Sequence, residues 1–370
     1  MFRQYKFRNY NFRLVIFVIA LGIIGFFAVG SAQESLKQRQ LFGIVLGVVL
    51  MLFLSLVDYT IYRYFYWIFY IANIVLLGLV LSPLGVEVNG SKRWINIGFQ
   101  FQPSELAKIL LILFFAQFIM KYKEKINSVR ILFALILLLA IPLYLVYKEP
   151  DLSTSIMIVV TFCVMVFVGG LSYKIVFTLL AILIPAIVAF FAVILRPDAE
   201  DTFLHGYQVT RILAWLEPEK YADSAAYQQL NSITAIGSGQ LFGKGLDNNV
   251  IASVKNGNFI SEPQTDFIFA IVGEELGFIG SAAVVILILL IVWECLLIGR
   301  NSKDEAGSLI ASGVAGLIGL QAFLNIAVAT GLAPNTGIPL PFVSYGLTSL
   351  VSLFGAIGIV INIGLQNKKH

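Results

Sequence analysis

Residues 276–298 read LGFIGSAAVVILILLIVWECLLI and contain one charged side chain, that of Glu294. A helix needs about 20 predominantly apolar residues to cross the hydrocarbon core of a bilayer, so this stretch predicts a membrane-spanning helix. Nine similar apolar runs occur at 14–31, 41–57, 64–82, 105–120, 129–147, 153–169, 174–195, 307–331 and 342–365. The sequence therefore predicts an all-α, polytopic integral membrane protein with about ten transmembrane helices.

The composition agrees with this class and excludes several others. Of the 370 residues, 59% are hydrophobic and 12% charged, and the mean hydropathy is +0.89, whereas soluble domains average about 25% charged residues. Residues 1–370 are therefore predicted to form one transmembrane domain surrounded by membrane lipids. The net charge of +4 is small and no basic patch is present, so we expect no nucleic-acid partner. Two cysteines and two histidines are too scattered to predict a disulfide or a metal cage: Cys163, Cys295, His205 and His370.

The distribution of Lys and Arg predicts the orientation. With the N-terminus in the cytoplasm, the inner segments carry fourteen basic residues and the short outer loops carry five. An excess of basic residues marks the cytoplasmic side, so both termini are predicted to be cytoplasmic. Segment 196–264, between helices seven and eight, is then a large extracytoplasmic loop, and a loop of this length usually carries function or structure of its own. The inner set is Arg3, Lys6, Arg8, Arg13, Arg63, Lys121, Lys123, Lys125, Arg130, Lys174, Arg300, Lys303, Lys368 and Lys369; the outer set is Lys37, Arg39, Lys92, Arg93 and Lys148.

Asp266 lies near the start of the eighth apolar run and is the leading candidate for catalysis. The helical pattern extends upstream through TDFIFAIVGEE at 265–275, which leaves two alternatives. Either the helix begins near Thr265 and carries Glu274 and Glu275 below the membrane surface, or its first turns stand above the lipid. Both place Asp266 on the outer side. A carboxylate in a partly apolar cleft has a raised pKa and can act as a general base, although an acidic residue at a helix start can also serve only the helix dipole.

The predicted outer loops hold the other polar candidates. Ser104 is placed to cap the fourth span, Glu105 follows in its first turn, and Lys108 shares a helix face with Glu105 and can pair with it. A charge so close to lipid should face protein or water. Helix capping, solvated turns and plain surface charge are the alternative explanations. The candidates in the turn and the long loop are Lys148, Asp151 and Arg211.

The last outer loop, GLAPNTGIPLPFVSYG at 331–346, combines Pro334, Pro339 and Pro341 with three glycines. Such irregular backbone cannot lie against lipid, because its amides and carbonyls would lack hydrogen-bond partners. The loop must therefore pack into protein or line a cavity. We favour a re-entrant floor of a polar site over a stiff turn between two spans.

Several segments together resemble the SEDS family of cell-wall polymerases, the RodA and FtsW type, over essentially the whole chain. The matching segments are Arg93-Trp94, QPSELAK at 102–108, PDLST at 150–154, IGSGQLFGKGL at 236–246, TDFIFAIVGEELGFIG at 265–280 and TGIPLPFVSYG at 336–346. Two positions depart from the family pattern: ISEPQ at 260–264 replaces a Leu-Pro-Glu, and Leu347 replaces a second glycine. ITAIGSGQLFGKGL is more similar to the elongation branch and IVGEELGFIG to the division and sporulation branch; we favour RodA.

The resemblance implies a peptidoglycan glycosyltransferase that polymerises lipid II, with inversion, on the outer face of the cytoplasmic membrane. Asp266 is implied as the base, and basic side chains are expected near the leaving diphosphate. A divalent cation, Mg or Mn, could share that work, although no dedicated cofactor site is visible. The implied partner is a class B penicillin-binding protein, a transpeptidase. The substrate-binding candidates are Arg93, Glu105, Lys108, Lys148, Asp151, Arg211, Lys244, Pro339 and Ser344.

Two other functions remain as alternatives. A lipid II flippase would need polar residues along a path through the bilayer, and charged residues within the spans are scarce here. A non-catalytic scaffold for wall-synthesis enzymes would need no acidic residue beside a basic cavity. The concentration of unusual residues in the outer loops favours chemistry on one side of the membrane.

Overall fold

The computed structural model describes residues 9–88, 91–96, 98–194, 206–246, 257 and 259–366. These residues form twelve α-helices and one three-stranded sheet. The helices are α1 Phe12–Ala32, α2 Lys37–Leu56, α3 Tyr66–Leu81, α4 Pro103–Lys121, α5 Val129–Lys148, α6 Leu152–Val168, α7 Tyr173–Ile194, α8 Gly206–Leu216, α9 Tyr227–Ser238, α10 Ile268–Arg300, α11 Glu305–Ala329 and α12 Leu347–Leu365. The strands are β1 Gly85–Val88, β2 Ser91–Asn96 and β3 Gln100–Phe101.

Each of the ten apolar runs forms a helix, so the prediction of a polytopic all-α membrane protein is confirmed. Seven helices in the described part of the chain are long and apolar enough to cross a membrane; α3 and α6 are shorter apolar helices, and α7 is counted with them over residues 173–189. The exact number of spans stays a prediction. Positions 1–8, 205 and 367–370, on which the orientation and histidine predictions partly rest, lie outside the described residues.

The centre of the bundle is formed by α4, α11 and α12, which are buried along most of their length. Helix α2 packs closely along α12, because glycines bring the two backbones together. A Cβ atom at Gly47 would lie 2.5 Å from the ring of Phe354, and one at Gly358 would lie 2.5 Å from the carbonyl oxygen of Met51. Small residues at such contacts are typical of membrane helices, whose association depends on close packing.

Helix α7 differs from the rest because its side chains from 177 to 189 are exposed on all faces. From Phe177 onwards the helix is apolar except for Thr178, so the exposure of every face indicates that lipid, and not water, surrounds it. Pro185 lies inside it.

Helix α10 consists of two helical segments, 268–276 and 278–300, separated at Gly277. Gly277 has φ +64°, a conformation that L side chains rarely adopt. Helix α10 begins at Ile268, close to the predicted start near Thr265, and the two alternative depths of Glu274 and Glu275 in the membrane stay predictions. Glu274 and Glu275 are buried, and Glu275 accepts a hydrogen bond from Ser31, the second-last residue of α1. The first segment thus lies at the level where α1 ends.

One end of the bundle carries nearly all the long connections, and we call it the site end. It comprises the end of α1, the α3–α4 and α5–α6 connections, α8, α9, the first segment of α10 and the loop 331–346. The α3–α4 connection forms an antiparallel sheet in which β2 pairs with both β1 and β3. The sequence predicted this connection only as a loop. Its strands have two to six residues, too few for a clear alternating pattern.

Candidate active site

Asp266 occupies the segment just before α10, and its backbone is held by two other parts of the chain. The side-chain amide of Asn325, on α11, donates to the Asp266 carbonyl oxygen at 2.8 Å. The Ser344 hydroxyl donates to the Thr265 carbonyl oxygen at 2.6 Å, and the Tyr345 amide donates to the Gln264 carbonyl oxygen at 2.8 Å. Three successive carbonyl groups are therefore fixed, which fixes the position of the carboxylate.

The Asp266 carboxylate is half-buried against the last loop. A Cβ atom built on Gly337 would lie 3.2 Å from Asp266 Oδ2, so the backbone of the loop passes directly beside the carboxylate. Burial raises the pKa of Asp266 to about 6, although the positive charges of Arg211 and Arg93 oppose the rise; Glu262 adds to it. Such a carboxylate is ionised at neutral pH and is a stronger base than an ordinary aspartate.

The loop 331–346 packs into protein, as the sequence predicted. Ile338 and residues 340–344 are buried. A Cβ atom at Gly25 of α1 would lie 2.7 Å from the carbonyl oxygen of Val343, so loop and helix backbones are in direct contact. Ser344 also accepts a hydrogen bond from the Leu340 amide at 2.7 Å, which closes the loop around Pro341. The loop thus lies beside Asp266 and is held by α1 and α11.

Glu105 and Lys108 form an ion pair within α4 at 2.8 Å, and each side chain is about 5% exposed. The Lys108 ammonium group also lies 3.5 Å from the side-chain oxygen of Gln321, whose amide donates to the Pro339 carbonyl oxygen at 3.0 Å. A buried pair of this kind is weak evidence for stability by itself. Here it links α4 through α11 to the last loop, so these candidates position the loop.

Arg93, on β2, fastens the turn between α5 and α6. Its guanidinium group donates to the carbonyl oxygen of Glu149 at 3.2 Å and to that of Pro150, and lies 3.9 Å from Asp151 Oδ2. Asp151 caps α6, because its carboxylate accepts from the Thr154 amide at 3.0 Å and from the Thr154 hydroxyl at 2.9 Å. Arg93 and Asp151 therefore belong to one structural unit whose positive charge acts on Asp266.

Glu149 is a feature that sequence reasoning missed. Its side chain is fully buried, and neither carboxylate oxygen has a hydrogen-bond partner among the described residues. Burial raises the pKa of Glu149 to about 8, with a further rise from Asp151 and an opposing effect of Arg93. The group is therefore neutral at pH 7, which avoids the cost of a buried unpaired charge. Its position beside Asp151 was the only signal in the sequence.

The remaining basic candidates differ in their contacts. Arg211, on α8, is exposed; it lies 3.4 Å from the Asn335 carbonyl oxygen, and its charge lowers the pKa of Asp266. Lys148 is exposed at the end of α5, with its ammonium group 5.6 Å from the centre of the Tyr144 ring. Lys244 pairs with Glu274 at 2.7 Å. The structure thus brings Arg93 and Arg211 to Asp266, and engages Lys148 and Lys244 elsewhere.

Gln321 and Asn325 were not selected from the sequence, although their place in an apolar span could have indicated a role. Both are polar residues inside an apolar span and are at most 1% exposed. Polar residues in membrane helices usually face the bundle interior and have a function. Asn325 donates to the carbonyl oxygens of both Asp266 and Ile338, so it joins the segment that carries Asp266 to the last loop.

The described residues contain no group of three His, Cys, Asp or Glu side chains that could hold a metal ion. Asp266 and Glu262 are near enough to influence each other's charge. Two carboxylates can hold Mg²⁺ when substrate phosphates complete its coordination.

The fold and the site define a polytopic membrane protein with a half-buried carboxylate beside basic side chains at one end of its bundle. The family model of the FtsW, RodA and SpoVE cell cycle proteins matches residues 9–369, and the chain belongs to this family. The SEDS resemblance is therefore confirmed.

Relatives from several branches are similar over nearly the full length. Stage V sporulation protein E of Bacillus subtilis is 34% identical, with 96% of both chains covered. The probable peptidoglycan glycosyltransferase FtsW of Taylorella equigenitalis is also 34% identical, with 92% of this chain and 90% of the relative covered. The preference for the RodA branch stays a prediction.

Solved structures show the same fold. A chain from a peptidoglycan synthase complex that coordinates polymerization and crosslinking has a TM-score of 0.76 and 29% identity, with 96% of this chain and 97% of that chain covered. RodA of Thermus thermophilus has a TM-score of 0.69 and 26% identity, with 98% of both chains covered.

The two hydrogen bonds that the Asn325 side-chain amide donates lead to a prediction about stability. Asn325→Leu leaves two carbonyl groups without a donor, and each unsatisfied buried group costs about 1–3 kcal/mol. We expect a clearly lower unfolding temperature in detergent. The control is Gln117→Leu on α4, which removes a buried oxygen that has no hydrogen-bond partner in the described part of the chain. Equal unfolding temperatures for the two variants would contradict this assignment of Asn325.

Proposed function

We propose that the protein polymerises lipid II into β-1,4-linked glycan strands, as a peptidoglycan glycosyltransferase for cell elongation, with division or sporulation as the alternative role. The observation that carries this proposal is the Asp266 carboxylate, which is half-buried, fixed through its backbone and accompanied by Arg211 and Arg93. The names of the FtsW relatives and the peptidoglycan synthase complex support the same reaction.

The reaction is a single displacement at the anomeric carbon of the donor sugar. The 4-hydroxyl of the acceptor attacks this carbon, the bond to the diphosphate breaks, and undecaprenyl diphosphate leaves with the electron pair. Asp266 accepts the hydroxyl proton. An α-linked donor gives a β-linked product, so no covalent enzyme intermediate is required.

The negative charge that develops on the leaving diphosphate needs positive charge nearby. Arg211 is the best placed side chain, because it is exposed and its charge acts on Asp266. Arg93 supplies a second charge and is only partly exposed. Lys108 is buried in its pair with Glu105, so we assign it to positioning of the last loop. A divalent cation, when bound, would neutralise diphosphate charge; Glu262 would hold it together with the diphosphate oxygens, which leaves Asp266 available as the base.

We propose that both termini are cytoplasmic and that the site end faces outwards. Lipid II is joined on that side, and a class B penicillin-binding protein, a transpeptidase, crosslinks the strands. The complex that coordinates polymerization and crosslinking supports this partnership. The excess of basic residues in the opposite loops supports the orientation.

Asp266→Asn tests the proposed base. Asparagine keeps the size of the side chain but cannot take up the acceptor proton, and general-base catalysis contributes typically about 10²–10⁴ in rate. We expect a folded protein that binds its transpeptidase and makes glycan from labelled lipid II at a rate at least about 100-fold lower. Asp223→Asn, an exposed aspartate of the α8–α9 connection, is the control. Synthesis by Asp266→Asn at nearly the wild-type rate would refute the assignment.

The pH dependence of polymerisation provides a second test. Asp266 must be ionised to act, so kcat/KM should rise tenfold per pH unit up to about pH 6, the pKa of this carboxylate, and then level off. If kcat/KM instead levelled off near pH 4, in the ordinary pKa range of aspartate, the assignment of a half-buried base would be contradicted.

Glu149 predicts a separate effect on stability. The folded protein retains this proton up to about pH 8, whereas the unfolded chain releases it near pH 4.5, the ordinary pKa of a glutamate. Its contribution to stability is therefore lost as the pH rises between these values. Glu149→Gln should remove this loss of stability, which is measured by thermal unfolding at pH 9. The variant should keep the rise of kcat/KM with pH up to about pH 6.

The orientation is tested by labelling. A cysteine at Asp223 of a chain lacking Cys163 and Cys295 should react with an impermeant thiol reagent on intact cells. A cysteine at Glu124, exposed in the α4–α5 connection, should react only after permeabilisation. The reverse pattern would invert the proposed orientation.

A further inference from the structure

A group of large apolar side chains is exposed at the site end, where segment 239–245 meets α10. Leu241 and Phe242 are 50% and 77% exposed, and Phe278 and Ile279 of α10 are 67% and 51% exposed. We call these four residues the loop–helix patch. Neither Leu241 nor Phe242 belongs to a membrane-spanning helix, so their exposure requires a different explanation from that of lipid-facing helix residues.

The patch continues the lipid-facing side of α10. From Ile279 onwards, exposed apolar residues recur every three or four positions along this helix, which is the pattern of one helix face. The members of this stripe are Ile279, Ala283, Ile286, Leu289, Trp293 and Leu296. From Phe278 to Leu296 the helix rises about 27 Å, close to the thickness of the hydrocarbon core of a bilayer. Phe278 and Ile279 therefore lie at one boundary of that core.

The irregular segment 239–245 has the hydrogen bonds that contact with lipid demands. Two α10 amides donate into the segment: Phe278 to the Gln240 carbonyl oxygen at 2.8 Å and Ile279 to that of Leu241 at 3.2 Å. In return, the Lys244 amide donates to the Glu274 carbonyl oxygen at 2.9 Å. Non-helical backbone is tolerated at the edge of the hydrocarbon only when its polar groups are satisfied in this way.

Three glycines allow segment 239–245 to pack directly against α10 at its break, so that the two form one unit. A Cβ atom at Gly239 would lie 1.9 Å from the Gly273 carbonyl oxygen, and one at Gly243 would lie 2.1 Å from that of Glu275. A Cβ atom at Gly277 would lie 2.3 Å from the Gly243 amide nitrogen. The two backbones therefore cross without any side chain between them, and Leu241 and Phe242 cannot move independently of α10.

We propose that the loop–helix patch inserts into the lipid leaflet at the site end, with Leu241 and Phe242 reaching acyl chains beside Phe278. Its occupant is lipid, because the patch is continuous with the exposed apolar stripe of a helix that is long and apolar enough to cross a membrane. The patch is joined to Asp266 by one helical segment, 268–276, about 13 Å long. Resting on the proposed polymerase function, we infer that this anchor sets the height of the base above the membrane, at which the sugars of a lipid-linked substrate are held.

The contact with lipid is tested by fluorescence quenching in nanodiscs. The full chain carrying Phe242→Trp should be quenched by lipids brominated near the headgroup end of the acyl chain. Tyr227→Trp, an aromatic residue of α9 that is 40% exposed, is the control and should remain unquenched relative to the wild-type background. Absence of quenching at position 242 would refute the proposal. Quenching that disappears when the class B penicillin-binding protein is added would also refute it, because that protein would then be the occupant.

The effect on the reaction is tested by Phe242→Asp in the same nanodiscs. A charge at the boundary of the hydrocarbon is unfavourable, so we expect polymerisation of lipid II to fall by about tenfold, equivalent to about 1.4 kcal/mol. The rate with a short-chain lipid II analogue in detergent should change little, because no bilayer sets the height there.

Equal losses in both assays would refute the anchoring role. Wild-type protein that is inactive in both would instead refute the proposed polymerase, while the quenching result would stand. Tyr227→Asp serves as the matched control for an added charge.

Discussion

The structure depends on one constraint, that backbone amides and carbonyls near lipid must find hydrogen-bond partners within the protein. Two irregular segments, 264–266 and 331–346, pass through the site end of the bundle. Their carbonyl groups are satisfied by polar side chains that project from spans and from the last loop itself: Ser344, Gln321 and Asn325. These bonds place the Asp266 carboxylate beside the last loop, so the requirement that stabilises the fold also builds the site.

The charges follow a related rule. Glu105 and Lys108 share one buried ion pair, whereas Glu149 avoids a charge by keeping its proton. Arg93 has the central position, because it fastens the turn that carries Glu149 and Asp151 and also contributes positive charge at Asp266. Loss of Arg93 would therefore disturb the turn and the Asp266 carboxylate together, and the two effects could be separated only by combining stability and rate measurements.

The sequence could predict what depends on local pattern. Apolar runs of sufficient length identify the helices, and an aspartate at a helix start among matching family segments identifies Asp266. The break at Gly277 could not be predicted, because its cause is the close approach of Gly243 from another part of the chain. The three-stranded sheet between α3 and α4 was not predicted from the sequence, because its strands are short. The burial of Glu149 was not predicted either, because only tertiary contacts show that a residue in a polar turn is fully buried.

The fixed backbone around Asp266 has a consequence for how a long polymer could be made. The carbonyl groups of three successive residues, 264–266, are held by hydrogen bonds. The backbone beside Asp266 therefore has little freedom to open and close around each new sugar. Between additions, the growing strand must therefore move past a stationary carboxylate by one repeat. Sugar hydroxyls can exchange hydrogen bonds with water at nearly equal enthalpy, which keeps the barrier to such sliding low. If Asp266 is the base, translocation is then a movement of the glycan along residues 264–266 and not of these residues along the glycan.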